Sequence, residues 1–368
     1  MDGNSRASER KPVVVVTGSS GLIGSALCRD LERFYDVVGL DIVEPDEDSR
    51  AGEWIHCDFT SDQSVKEALD RVRANHGERL ASVVHLAAYY DFSGQPSELY
   101  EELTVRGTER LLRALRSFRV EQIVFSSTIL VMRPTELGRP LREDSPLEAE
   151  WDYPASKLRA EDVIRRERGN IPTVLLRIAG VYDENGHSPP ITQHIRRIRE
   201  KTIESYFFPG DPESGQAFIH LDDLICAIRL VIERRGSLDE VEVFLIAEPD
   251  VMSYDELQEE IGRLIHGEKW PTVRIPKVAA KLGAWLKGKL SRDERKPFIQ
   301  PWMIDIADDS YPVAIEHARE RLQWEPRKRL RTTLPEMIRR LKEDPRAFYE
   351  ENKLPLPEEL AVGAGDTR

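Results

Sequence analysis

The chain has 368 residues, and 53 Lys and Arg against 66 Asp and Glu give it a formal net charge of −13. That sign works against general binding to nucleic acid or anionic lipid, and the length suits one large domain with a smaller one attached. Three scattered cysteines (Cys28, Cys57, Cys226) offer neither metal-ligand spacing nor a disulfide framework, and no apolar run reaches membrane-spanning length. With Met1 to Lys11 polar and charged, the composition predicts a cytoplasmic enzyme with a small-molecule substrate and no bound metal.

The first element is the most informative. Four consecutive valines, Val13 to Val16, read as a strand buried on both faces. Thr17-Gly18-Ser19-Ser20-Gly21-Leu22-Ile23-Gly24 follows, and then Ala26, Leu27 and Leu31 recur at helical spacing. The three glycines divide the work. Gly18 permits the sharp turn, Gly21 lets backbone approach a phosphate, and Gly24 lets the helix pack closely on the sheet. Free amides of Ser20, Leu22 and Ile23 and the positive end of the helix dipole then face an anion. This is a dinucleotide pocket.

The second strand, Val37-Val38-Gly39-Leu40-Asp41, ends in an acid that can accept hydrogen bonds from both hydroxyls of the adenosine ribose. A 2′-phosphate there would meet a like charge, at a cost on the order of 1–4 kcal/mol. Ile42, Val43 and Glu44 supply no arginine to neutralise it. NAD is therefore expected over NADP.

Strands and helices then alternate. Glu53–Asp58, Ala81–Leu86, Gln122–Ser127 and Thr173–Arg177 read as strands, and Ser61–Arg73, Glu98–Ser117 and Pro154–Arg168 as helices. Such alternation predicts an α/β fold, a doubly wound parallel sheet with helices on both faces. After Tyr182 the rhythm breaks into a loop with one helix near Ile191–Glu200, and the αβ pattern returns at Phe218–Glu233 and Val241–Ile246. The remainder reads as helical, at Ser253–His266, Val278–Leu290, Ala314–Leu322 and Leu330–Lys342. The expected division is a disordered tail over 1–10, a dinucleotide-binding domain over 11–181 and 218–249, a smaller, mainly helical substrate domain over 182–217 and 250–345, and a C-terminal tail over 346–368.

Tyr153-Pro154-Ala155-Ser156-Lys157 carries the catalytic argument. Pro154 suits a first helical position, and Lys157 lies on the same helix face as Tyr153. An ammonium near a phenol favours the phenolate, which can exchange a proton with a secondary alcohol while hydride moves to or from a nicotinamide. A third member is expected at the preceding strand end, where Thr128, or else Ser127, offers a hydroxyl to orient the alcohol.

Together these residues resemble the extended short-chain dehydrogenases/reductases, the NAD-dependent epimerase/dehydratase family. The resemblance extends over His85-Leu86-Ala87-Ala88, Gly107-Thr108, Ser126-Ser127-Thr128, Leu176-Arg177, Phe218-Ile219-His220-Leu221-Asp222-Asp223 and Leu322-Gln323-Trp324-Glu325-Pro326. It implies a Rossmann-type sheet, contacts from Asp58 and Phe59 to adenine, a dinucleotide wall from Leu86, Ala87 and Ala88, and Tyr153, Lys157 and Thr128 as the catalytic set. It also implies a homodimer through the helices after the fourth and fifth strands. His85 and His220 read as structural histidines.

Several positions depart from the family pattern. Ile129-Leu130 replaces the Asp-Glu of the sugar-nucleotide dehydratases, so dehydration is not expected. Gln216 stands where many nucleotide-sugar enzymes place a diphosphate-gripping arginine, a charged contact that an amide does not replace. The family's Tyr-Gly-Pro reads Tyr182-Asp183-Glu184, and its asparagine before Gly-Thr is Thr104. Tyr89, Tyr90 and Phe92 follow the fourth strand on a loop expected to overhang the nicotinamide, which suits an apolar, ring-shaped substrate. The amphipathic, locally basic segment 276–290 carries Val278, Leu282, Trp285 and Leu286 on one face, read as core packing of the second domain, with Lys287, Lys289 and Arg292 solvated.

The resulting expectation is an NAD-dependent oxidoreductase that interconverts a secondary alcohol and ketone, or epimerises by transient oxidation. Its substrate is a nucleotide sugar or a lipophilic, hydroxysteroid-like alcohol, with Tyr90 and Gln216 near it. The alternative is a catalytically silent NAD-binding scaffold or redox sensor, against which the retention of both Tyr153 and Lys157 counts. In a fluorescence titration NAD should bind more tightly than NADP; the reverse order would remove the role given to Asp41.

Overall fold

A computed structural model describes residues 11–47, 50–91, 95–136, 138–290 and 300–361. Its centre is a seven-stranded sheet built from β1 (Val13–Thr17), β2 (Asp36–Asp41), β3 (Glu53–His56), β5 (Ser82–His85), β7 (Ile123–Thr128), β8 (Thr173–Ile178) and β12 (Val241–Ile246). A short pair, β4 (Arg79–Leu80) with β6 (Arg119–Val120), lies beside it. The strand order is β12-β8-β7-β5-β1-β2-β3, with every pair parallel. Order reverses between β1 and β5, and the C-terminal ends of those strands open the crevice where such sheets take ligands.

Helices cover both faces, as the uniformly apolar strands require. Val14, Val16 and Val84 belong to one core, and α1 (Leu22–Leu31) and α6 (Leu221–Glu233) pack on each other over it. Val15, Val83, Phe125 and Leu175 belong to the other core, covered by α2 (Asp62–His76), α3 (Arg106–Leu115) and α4 (Asp152–Glu167). The helix expected over Glu98–Ser117 is divided, with a π-helical turn at Tyr100–Val105 leading into α3.

A third core lies beyond the sheet. There α5 (Pro189–Arg199), α7 (Tyr254–His266) and α11 (Leu330–Glu343) gather Tyr182, Ile195, Ile261, Trp270, Leu334 and Met337. Two small parallel pairs border this region, β9 (Gly180–Tyr182) with β11 (Phe218–His220), and β10 (Phe207–Pro209) with β13 (Val273–Ile275). The division anticipated at 250–345 is crossed by one segment: Tyr311, Val313, Ile315, and then Ala318 and Leu322 of α10 (Glu316–Leu322), pack on the α1/α6 core instead.

Two expectations are corrected. Residues 346–361 are not a tail, because α12 (Pro345–Glu351) and α13 (Glu358–Ala361) fold back on the third core and bury Phe348, Tyr349 and Leu354. The stretch is charged, but three large apolar side chains suffice to dock it. The second concerns α8 (Lys277–Leu290), where Val278 is 80% and Leu282 57% exposed rather than packed in a core. The lysines decide this orientation. Lys277 pairs with Asp308 and donates to the carbonyl of Asp305, and Lys281 pairs with the Asp305 carboxylate at the end of α9 (Pro301–Asp305). Docking the polar stripe leaves Val278 and Leu282 outward. Phe92 and Arg292, and the side chains of Trp285, Leu286, Lys287 and Lys289, lie outside the described residues.

Replacing Phe348 by Ala should cost about 3–5 kcal/mol of stability. A chemical-denaturation midpoint that does not move would show that the C-terminal helices contribute nothing to the core.

Candidate active site

At the crevice, Gly18 adopts φ +67°, and an added Cβ would lie 2.9 Å from the Ala87 amide nitrogen. A Cβ on Gly24 would meet the Gly18 carbonyl oxygen at 2.1 Å. Both glycines are therefore required by close backbone approach. Gly21 is the N-cap of α1, and no side chain caps the helix, so its first amides remain free for a phosphate.

Asp41 binds this turn from the end of β2. Its Oδ2 accepts from Ser20 N at 2.9 Å and its Oδ1 from Val43 N at 3.0 Å, while Ser20 Oγ donates to Val43 O at 2.5 Å. The Ser20 amide, expected to be free, is thus taken up by Asp41, which leaves Leu22 and Ile23 for the anion. Each carboxylate oxygen keeps a lone pair for a ribose hydroxyl. Asp58 is held similarly, its Oδ1 accepting from Thr60 N and Oγ1 at 2.8 and 2.7 Å. The Phe59 ring is buried against His85 at 5.7 Å and its carbonyl accepts from Arg110 Nη1 at 3.2 Å, which leaves its backbone amide to meet adenine.

The wall after β5 hangs on one buried hydroxyl. Thr17 Oγ1 accepts from the amides of Leu86 and Ala87, both at 3.1 Å, and hydrogen-bonds His85 Nδ1 at 2.7 Å. His85 Nε2 lies 3.0 Å from Thr108 Oγ1, and burial first, then the Lys157 charge, push the imidazole down to about 3. It is a neutral structural strut, and Ala88 continues the wall. Thr104, in the π-helical turn where the family has asparagine, ties that turn to the loop after β5: its Oγ1 accepts from Tyr89 N at 3.0 Å. His220 is structural too, its Nδ1 capping α6 by accepting from Asp222 N at 3.1 Å.

The catalytic candidates converge where α4 meets the end of β7. The helix begins at Asp152, two residues before the expected Pro154, because Trp151 serves as N-cap. The phenol of Tyr153 faces the hydroxyl of Thr128, which acts on it. Lys157 is buried, donating from Nζ to Ser126 O at 2.7 Å and Ser126 Oγ at 3.4 Å, 5.0 Å from the Phe125 ring centroid. Ser127 alternates to the other side of the strand and donates to Glu161 at 2.5 Å, which leaves Thr128 as the hydroxyl at the site.

The electrostatics correct a simple expectation. The phenol of Tyr153 is not lowered by Lys157 in this arrangement: burial raises it above its ordinary range, Tyr100 adds to that, and the Thr128 hydroxyl opposes it. Burial also pushes the Lys157 amine down to about 7, with Glu161 opposing.

Sequence reasoning missed two indoles. Trp151 lies 5.5 Å from Tyr153 between ring centroids, and Trp302 of α9 lies 4.9 Å from Trp151. Tyr90, 51% exposed, meets Tyr153 edge-on at 5.0 Å. Adjacency to the tyrosine motif could have flagged Trp151, whereas nothing local marks Trp302. Gln216 is exposed and bridges to Tyr311 through its backbone.

Comparison with known proteins agrees with this geometry. The profile of the NAD dependent epimerase/dehydratase family matches residues 14–247. The chain belongs to that family, the extended short-chain dehydrogenases/reductases, and is by class an NAD-dependent oxidoreductase or epimerase. It is 28% identical to short-chain dehydrogenase/reductase family 42E member 1 of Danio rerio over 285 residues, 71% of this chain and 70% of that one. It is 25% identical to human 3 beta-hydroxysteroid dehydrogenase type 7 over 349 residues, 87% of this chain and 93% of that one. Among solved structures, the UDP-glucose 4-epimerase of Thermus thermophilus in complex with NAD shares the fold, with a TM-score of 0.66 and 19% identity over 90% of this chain and 99% of that one. No helix among the described residues is long and apolar enough to cross a membrane.

Lys157 gives a signed pH test. An amine lowered from 10.5 to about 7 in the fold leaves the unfolded chain binding more protons between those values, so its contribution makes stability rise with pH across that window. Thermal melts of Lys157→Met should lose that part of the rise; identical wild-type and variant slopes would place the amine in solvent.

Proposed function

We propose that the protein oxidises the secondary alcohol of a lipophilic, ring-shaped substrate to a ketone, or reduces the ketone, with NAD as cofactor. The observation that carries the substrate class is a cluster of aromatic faces: Tyr90 meets the Tyr153 ring edge-on, Trp151 packs beside it, and Trp302 packs on Trp151. A hydroxysteroid-like ring system fits such faces. The exposed amide Gln216, in place of an arginine, counts against gripping a nucleotide diphosphate.

In this reading the free amides of Leu22 and Ile23 hold the pyrophosphate, Asp41 the adenosine ribose, Asp58 the adenine edge, and Leu86 to Ala88 flank the dinucleotide. When bound, NAD accepts or returns the hydride. Tyr153 takes the hydroxyl proton as the carbonyl forms and gives it back in the reverse direction. Thr128 orients the reacting oxygen, and Lys157 holds the nicotinamide ribose. The pairing of Tyr153 with Thr128 at the strand end, with Lys157 buried one helical turn further on, favours a working site over a silent scaffold. The same reading sets the enzyme in the cytoplasm as a homodimer through α3 and α4.

A melting-temperature panel tests it. Sterol-like secondary alcohols with NAD should raise the melting temperature, by about 2.7 kcal/mol of stabilisation at a hundredfold excess over Kd, while UDP-sugars should not. Stabilisation by UDP-sugars alone would overturn the substrate class. Tyr153→Phe should abolish turnover of any alcohol found and leave NAD affinity nearly unchanged; retained turnover would remove Tyr153 from the mechanism.

A further inference from the structure

Tyr153, Lys157 and Glu161 recur every four residues along one stripe of α4. The first two serve the chemistry described above, and the third takes no part in it. Yet Glu161 is 1% exposed and its carboxylate is held from several sides. Ser127 Oγ donates to Oε1 at 2.5 Å, Arg177 donates from Nε to Oε1 at 3.2 Å and from Nη2 to Oε2 at 2.9 Å, and Arg165 Nη2 lies 3.8 Å from Oε2.

Arg177, itself 2% exposed, also donates from Nη1 to the carbonyl of Glu143 at 3.2 Å. Ser127 and Arg177 are directly paired in the β7–β8 register. One carboxylate thus ties the catalytic helix to two strands beneath the site. A buried ion pair adds little net stability, because desolvation offsets its attraction, so stability alone does not explain this clamp.

We propose that Glu161 is a positioning residue: clamped by Arg177 and Ser127, it fixes the register of α4 on β7 that brings Tyr153 to Thr128, and it is the counter-charge that keeps the buried Lys157 protonated for the nicotinamide ribose. The inference rests on the role given to Lys157 under the proposed function.

The surroundings of the amine leave that role to Glu161. On β7 it meets neutral groups, the carbonyl and hydroxyl of Ser126 and the Phe125 ring. On β5 it faces His85, which stays neutral. On β8 the nearest charge, Arg177, is paired with Glu161. Tyr100, from the π-helical turn, acts on Tyr153. Burial lowers the amine, and the carboxylate of Glu161 is what favours its charged form.

The test is NADH affinity against pH, read by nicotinamide fluorescence, in wild type, Lys157→Met, Glu161→Gln and the double variant Glu161→Leu/Arg177→Met. The double variant removes the pair together and leaves no orphaned buried charge, so it should fold with a near-native melting temperature even if Glu161→Gln does not. The wild-type curve should show a midpoint that Lys157→Met lacks. In the double variant that midpoint should fall by about one pH unit, making NADH binding about tenfold weaker above it. A folded double variant with the wild-type midpoint overturns the proposal and leaves the role of Lys157 standing. A midpoint that survives in Lys157→Met overturns both.

Discussion

The structure depends on one amine out of water. Lys157 is enclosed between a helix and a sheet, and its Nζ has the Ser126 carbonyl as its main partner. An ammonium stripped of water is tolerated only where fixed dipoles and a nearby carboxylate replace the solvent. Meeting that demand brings α4 down on the end of β7, and the same descent delivers Tyr153 to Thr128. The seam that makes the lysine expensive is also what makes it useful.

The dinucleotide side follows a different logic, one of backbone rather than side chains. Gly18 and Gly24 let three pieces of main chain approach more closely than any Cβ allows, and Thr17 then collects the amides of Leu86 and Ala87 on one oxygen. The crevice is pre-formed by these contacts at the place where strand order reverses between β1 and β5. A cofactor seated there finds oriented amides and an acid, at little cost in reorganisation. Variation is left to the segments beyond, where Tyr90 and Trp151 meet Tyr153 and Trp302 packs on Trp151.

Much of this was legible in the chain because it rests on local pattern. Strand runs, glycine spacing and the Tyr153/Lys157 interval are properties of neighbouring residues, and the sheet and the cofactor site follow from them. Misreadings came where long-range partners decide. The polar 346–361 stretch gave no sign that Phe348 and Tyr349 would find a core already built by α5 and α11. Val278 and Leu282 of α8 were expected inside, but the carboxylates of Asp305 and Asp308 pair with Lys277 and Lys281 and leave those two side chains outward. Thr128 was expected ahead of Ser127, and the pleat separates them, sending Ser127 to Glu161 and Thr128 to Tyr153.

The amino-acid order by itself determined the fold class and the expectation of NAD and marked Tyr153 and Lys157 as the candidate pair, because each is written in a short spacing, in strand periodicity or in the acid that ends a strand. Only the folded molecule decided which hydroxyl serves, that Glu161 and Arg177 lie beneath the lysine, and that a tryptophan from α9 stands beside Trp151 at the mouth. Those facts are juxtapositions of residues far apart in the chain, and they arise from packing, which no local pattern encodes.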